Sequence, residues 1–150
     1  MRNILALVIA VVLASCASMG DHDPALQFDG VYQSGRTDSY YGYLRFYPDG
    51  TVATVSTGGQ PNEIREWFDK GHAGTSTGKV ILKGKRISFS ATSNTGTVDY
   101  DGKLVGNQIR LRYCSLINGH CGSEVYEFLG WDAEPKAPDG DAVRKLMKHP

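Results

Sequence analysis

Between residues 28 and 131 glycine recurs at short intervals, and nearly every gap between glycines reads as a β-strand. This spacing constrains the fold more than any other feature. The region is rich in Gly, Thr, Ser, Tyr and Val, the composition of many short strands joined by turns. Strands are expected near 28–34, 41–47, 51–57 and 78–83, through 87–91, from Thr97, through 109–113, and near 123–131. Pro48-Asp49-Gly50 separates two of them. Proline presets φ, aspartate supports the turn and glycine takes the left-handed conformation. Ile87, Phe89 and Ala91 alternate with Ser88 and Ser90, and Ile109, Leu111 and Tyr113 alternate with Arg110 and Arg112. Such strands have one buried and one wet face. Asp101-Gly102 and Gly106-Asn107 compete as turns; the expectation is a bulge at Gly102 and a turn at Gly106-Asn107.

One segment departs from the pattern. Ile64, Trp67 and Phe68 share a helical face, with Pro61 and Glu63 suiting a helix start, and Lys70 and Gly71 its end. A short helix over residues 61–70 is expected, packed across the sheet or over a barrel mouth. The fold class that follows is all-β: an antiparallel up-and-down meander of about eight strands, closed into a barrel that removes its edges. Beyond Trp131, the polar linker around Pro135 and Pro138 leads to Ala142, Val143, Leu146 and Met147, a short C-terminal helix capped by Asp139 or Asp141. The expected organisation is a leader over 1–15, a tether over 16–26, the barrel domain over 27–132, and a linker with the terminal helix over 133–150.

The leader carries the evidence for compartment. Arg2 precedes an apolar run over residues 4–14. It is too short for a membrane span, which needs roughly 20 residues, and suits a secretory signal. Leu13-Ala14-Ser15-Cys16 then resembles the lipobox of bacterial lipoproteins at all four positions. The resemblance implies cleavage before Cys16 and lipid attachment (palmitate among the chains) to its sulfur. Several chains, at about 0.8 kcal/mol per buried methylene, would make release from a membrane very slow. Ala17 and Ser18 follow where an aspartate would signal inner-membrane retention, so the class rule implies the outer membrane, facing the periplasm. Removal of residues 1–15 from the 150 leaves 135, enough for one domain with a core. Loss of Arg2 takes the formal charge from zero to −1. A near-neutral chain lacks the broad basic footprint of a nucleic-acid binder.

Two cysteines remain, Cys114 and Cys121, and an even pair in an exported chain reads as a disulfide around the Asn118-Gly119 turn. The competing reading makes Cys114, His120 and Cys121 zinc ligands, but a fourth ligand is not apparent. Asp21-His22-Asp23 reads as solvated linker before a metal site.

The strand order with an adjacent helix and a terminal helix resembles the calycins, the lipocalin-like superfamily. Gly30-Val31-Tyr32 is similar to the Gly-x-Trp signature of lipocalins, with tyrosine in place of tryptophan. The family's arginine after the last strand has no match, since Arg144 comes too late. The resemblance therefore implies lipocalin-like architecture and a barrel that binds a small apolar ligand. A narrower segment, Tyr43 to Val52 followed by Pro61, resembles the C-terminal region of certain eukaryotic F-box-only proteins, a β-rich module without a catalytic role to carry over. Some bacterial lysozyme inhibitors are small disulfide-bonded barrels on lipid anchors, and that class supplies the rival expectation: a protein-binding module, either an inhibitor or an envelope-assembly adaptor.

Catalytic signatures are weak. Gly74-Thr75-Ser76-Thr77-Gly78 matches Gly-x-Ser-x-Gly, but Lys79 to Leu82 reads as a strand where the hydrolase motif needs a helix. Gly78-Lys79 lacks the upstream glycine and the following Ser or Thr of a phosphate loop. His22, His72, His120 and His149 form no metal-spaced pair. No enzyme activity, cofactor or metal is expected. Tyr40, Tyr41, Tyr43 and Tyr47 with Arg45 form the densest aromatic cluster, and alternation puts Tyr41, Tyr43, Arg45 and Tyr47 on one face. That face reads either as a strand covered by the Trp67 helix, the favoured reading, or as a recognition surface for a ligand or partner made of these residues and Trp67.

Overall fold

The computed structural model describes residues 25–35 and 39–133. The leader, Cys16, the Asp21-His22-Asp23 segment and the expected C-terminal linker and helix lie outside the described residues. Among the described residues one antiparallel sheet contains β1 (Gly30–Ser34), β2 (Tyr41–Phe46), β3 (Thr51–Thr57), β4 (Ser76–Lys79), β5 (Ile81–Lys83), β6 (Arg86–Ser93), β7 (Gly96–Val105), β8 (Gln108–Ser115) and β9 (Cys121–Gly130). The order is β4-β3-β2-β1-β9-β8-β7-β6-β5, and β4 also pairs with β6, which closes the sheet. β4 and β5 are two halves of one bent strand. Thr77 faces Thr92 and Ile81 faces Ser88 in an unbroken register along β6, while Val80 between them donates to the Gly50 carbonyl at 2.9 Å. The result is a closed eight-stranded barrel with neighbour-to-neighbour connections, compatible with lipocalin-like architecture.

Eight strands enclose a space that side chains can just fill. Alternation sends Tyr32, Leu44, Phe46, Val52, Ile87, Phe89, Leu104, Ile109, Leu111 and Tyr126 inward, and all are buried in one cluster. Its rings meet edge to face, Tyr32 with Phe46 at 5.4 Å and Phe46 with Phe89 at 6.1 Å, the geometry that ring quadrupoles favour. This cluster fills the end of the barrel where β1 begins and β9 ends. Leu26, assigned by sequence to the tether, packs against the same cluster, and the Gln27 amide donates to the Tyr32 hydroxyl at 3.0 Å.

The expected turns at Pro48-Asp49-Gly50 and Gly106-Asn107 are present, with Gly50 at φ 76° and Gly106 at φ 61°. The bulge expected at Gly102 is absent. β7 pairs without interruption from Arg86↔Lys103 to Ser93↔Gly96 on one side and from Val98↔Ser115 to Val105↔Gln108 on the other. A side chain at Gly102 would strike the Arg110 carbonyl oxygen, so this glycine serves close backbone approach.

The helix is also shorter than expected. α1 spans Pro61–Ile64, started by Pro61 and by the Glu63 carboxylate accepting from the Gln60 amide at 2.6 Å. Two side chains at the end of β2 and just past it then take the backbone groups a longer helix would use: Arg45 donates to the Phe68 carbonyl, and the Lys70 amide donates to the Tyr47 hydroxyl at 3.1 Å. The segment over 60–70 instead runs down the outer face of β1, β2 and β3. There Ile64 and Phe68 cover Val31, Tyr43 and Ala53 in a second buried cluster.

Candidate functional site

The structure brings Tyr41, Tyr43, Arg45, Tyr47 and Trp67 together, but as the wall of this outer cluster. Tyr43 is fully buried. Its hydroxyl donates to the Gly59 carbonyl at 2.7 Å and accepts from Gln33 Nε2 at 2.6 Å. Burial pushes it up to about 12, against the opposing pull of the Gln33 bond. The Arg45 guanidinium sits over the rings of Trp131 (4.8 Å) and Tyr47 (5.1 Å), a cation–π arrangement. Trp67 leans on Phe68 at 6.2 Å and on exposed His72 at 5.4 Å. These side chains are occupied with one another. Tyr41 and Tyr43 also border the mouth of the barrel, one in each of its two lobes.

That mouth, at the end opposite the filled one, holds open space. Two adjoining lobes of about 260 and 240 Å³ share Gly42, Ser56, Val98, Tyr100 and Tyr126. The first extends to Ser34, Tyr113, Ser115 and Glu124. The second reaches the side of the barrel where β4 begins late, at Ser76 and Gly74. The strand period explains the lining. Ser34 lies two residues beyond inward Tyr32, Gly42 two before inward Leu44, and Glu124 two before inward Tyr126. The same inward rows are apolar at the filled end and polar at the mouth.

Gly42 organises the floor. A methyl group placed there would sit 3.0 Å from Ser34 Oγ, 3.2 Å from the Tyr126 hydroxyl and 3.4 Å from Glu124 Oε2. Three oxygens therefore crowd the position a side chain would take, so glycine lets Ser34, Tyr126 and Glu124 converge here. Ser34 Oγ accepts from the Gly42 amide at 2.8 Å and donates to the Gly35 carbonyl at 3.2 Å. The Tyr126 hydroxyl lies beside the Glu124 carboxylate, and burial first, then the Glu124 charge, hold it far above the ordinary tyrosine range. Tyr100 is raised by burial too, a shift the Thr54 bond opposes and the Glu124 charge reinforces. Its ring stacks on Phe89 at 4.6 Å, which ties the mouth to the filled core.

Over the rim stands the β8–β9 hairpin. Cys114 and Cys121 face each other across the two strands and form a disulfide. The loop between them presents Leu116 and Ile117, which are 65% and 57% exposed. Gly119 takes φ 71° at its tip, as the Asn118-Gly119 pair suggests. His120 lies 3.5 Å from the Tyr113 hydroxyl at the lip. Ser76 of the Gly-x-Ser-x-Gly match opens β4 beside Thr54, so a strand rather than a helix follows it.

No sequence motif marks Ser34, Gly42, Tyr100, Glu124 or Tyr126 as site residues, and Tyr113 stands out only as part of an alternating strand. A usable signal was present: each occupies an inward position of an alternating strand while being polar, small or hydroxylated. Reading it requires knowing which end of each strand is the mouth. In comparisons with known proteins, the chain matches no family model, no curated protein and no solved structure.

Proposed function

We propose that this protein is a lipid-anchored envelope lipoprotein, tethered through Cys16 to the outer membrane and facing the periplasm, whose lipocalin-like barrel binds a small ligand in its mouth. The observation that carries the ligand reading is the 260 Å³ lobe of the mouth, lined by Ser34, Gly42, Glu124 and Tyr126 among others. The apolar ligand that the lipocalin resemblance implies would need the filled half of the barrel, which Phe46, Phe89 and their neighbours occupy. The mouth suits a compact molecule with polar groups. Residues 25–29 lead into β1 at the filled end, away from the mouth.

Native mass spectrometry of the protein extracted from its host tests the ligand reading. A bound small molecule that is absent from a Gly42→Val variant supports it; a bare polypeptide mass in both overturns it. For the anchor, Cys16→Ser should abolish labelling by radioactive palmitate; a variant that still labels removes Cys16 as the lipid site.

A second reading is a protein-binding module, favoured by the exposed apolar rim of Tyr40, Leu116 and Ile117 beside the disulfide. Here the mouth receives a partner's side chain, as in an enzyme inhibitor or assembly adaptor. A Leu116→Ser/Ile117→Ser double variant should then lose partners in a pull-down, whereas Gly42→Val should lose them only if a side chain enters the mouth.

A further inference from the structure

We propose that the ligand of the mouth carries a small organic ammonium group, with Glu124 as its counter-ion. This rests on the ligand-binding reading above and narrows it to a chemical class. Two donors around Gly42 are spent inside the protein, the Ser34 hydroxyl on the Gly35 carbonyl and the Gly42 amide on Ser34, and the Tyr126 hydroxyl faces Glu124. Free acceptor capacity remains there, the second lone pair of Ser34 Oγ, the Tyr126 oxygen and the carboxylate of Glu124. A ligand entering this space must therefore donate hydrogen bonds. Among the described residues no lysine, arginine or histidine forms an ion pair with Glu124. Its charge is felt by Tyr126 and Tyr100.

The walls are equally selective. Tyr40, Tyr41, Tyr100, Tyr113 and Tyr126 ring the lobe that holds Glu124. Tyrosine rings around an acidic group favour cations over neutral or anionic groups, through ring quadrupoles in a partly desolvated space. A primary ammonium brings donors to the Glu124 carboxylate and the oxygens beside it, and lobes of about 260 and 240 Å³ admit a compact head group, below the roughly 300–1,000 Å³ of drug-sized sites. Free amines and the ethanolamine head group of a lipid present the same chemistry.

Saturation-transfer NMR on the full chain tests this with three probes: butylamine, the neutral 1-butanol, and dihexanoyl phosphatidylethanolamine. Butylamine or the ethanolamine lipid should bind, 1-butanol should bind much more weakly, and the tighter of the first two identifies the source. Glu124→Gln should weaken the cation by roughly tenfold or more, the loss of a charge-assisted hydrogen bond. Gly42→Ala, which fills the space and keeps the charge, should weaken it as well, so a folding defect in either variant does not decide the outcome. Equal binding of butylamine and 1-butanol overturns the ammonium assignment and leaves the ligand-binding mouth standing. Absence of binding by all three probes, alongside a bare mass in the native measurement, overturns both.

Discussion

At the scale of single residues, buried tyrosine hydroxyls set how much of this molecule is rigid. Tyr43 links β2 to Gly59 ahead of α1 and to Gln33 of β1 through one oxygen. Tyr43→Phe keeps the ring packing and leaves the Gly59 carbonyl and Gln33 amide without that partner. It should cost about 1–3 kcal/mol in urea unfolding; an unchanged midpoint would mean water replaces the hydroxyl. Asp49 works at the other end of the same segment. Its carboxylate accepts from Lys70 Nζ at 2.6 Å and from the Thr51 amide at 2.9 Å, and these bonds, the lysine's first, hold it well below its ordinary 3.8. A carboxyl whose folded value is depressed contributes stability above its unfolded value and loses it as the pH falls. Stability should therefore decline below about pH 4, and Asp49→Asn should flatten that part of the pH profile. Both partners are solvent-exposed, so the difference should shrink in high salt.

Elements depend on what lies opposite them, and the barrel carries one costly row. Register sets Lys83 against Arg86, Arg86 against Lys103, and Lys103 against Arg110, four exposed cations on four consecutive strands. Like charges directly opposite are destabilising. Asp101, 3.6 Å from Arg86, offsets part of this. Lys103→Glu converts two repulsive pairs into attractive ones and should raise stability by about 0.5–1.5 kcal/mol, read from the denaturation midpoint at low salt and shrinking at high salt. The strands themselves were legible because inward and outward residues alternate, and the turns because Gly50 and Gly106 mark their positions. Gly102 misled because a strand glycine signals a bulge or close backbone approach alike. The register shows close approach, toward Arg110 on the neighbouring strand. The helix was overestimated because apolar spacing cannot reveal that Arg45 and Tyr47, some twenty residues away, would claim the Phe68 and Lys70 backbone groups.

The described residues form a barrel filled at one end and open at the other, with a staple at the open end. The Cys114–Cys121 bridge closes a short loop, so its entropic effect on the unfolded chain is modest, about 2.5 kcal/mol. A Cys114→Ser/Cys121→Ser variant should lose up to that amount in a thermal melt. Hydrogen exchange should then show the loosening concentrated in the rim hairpin around Leu116 and Ile117, with the filled core protected. Equal loosening throughout would mean the bridge supports the barrel rather than its rim.

Local chemistry determined the alternating strands, most of the turns, the cysteine pairing and the all-β class, because each depends on residues close in the chain. Only the closed tertiary structure decided that Tyr43 and Arg45 are packing residues, that the barrel is filled at one end, and that Ser34, Glu124 and Tyr126 share one space over Gly42. Those relations join strands up to 92 positions apart in the sequence (Ser34 to Tyr126). They exist only because β1 pairs with β9 as its neighbour in the closed sheet, and no local pattern encodes that closure.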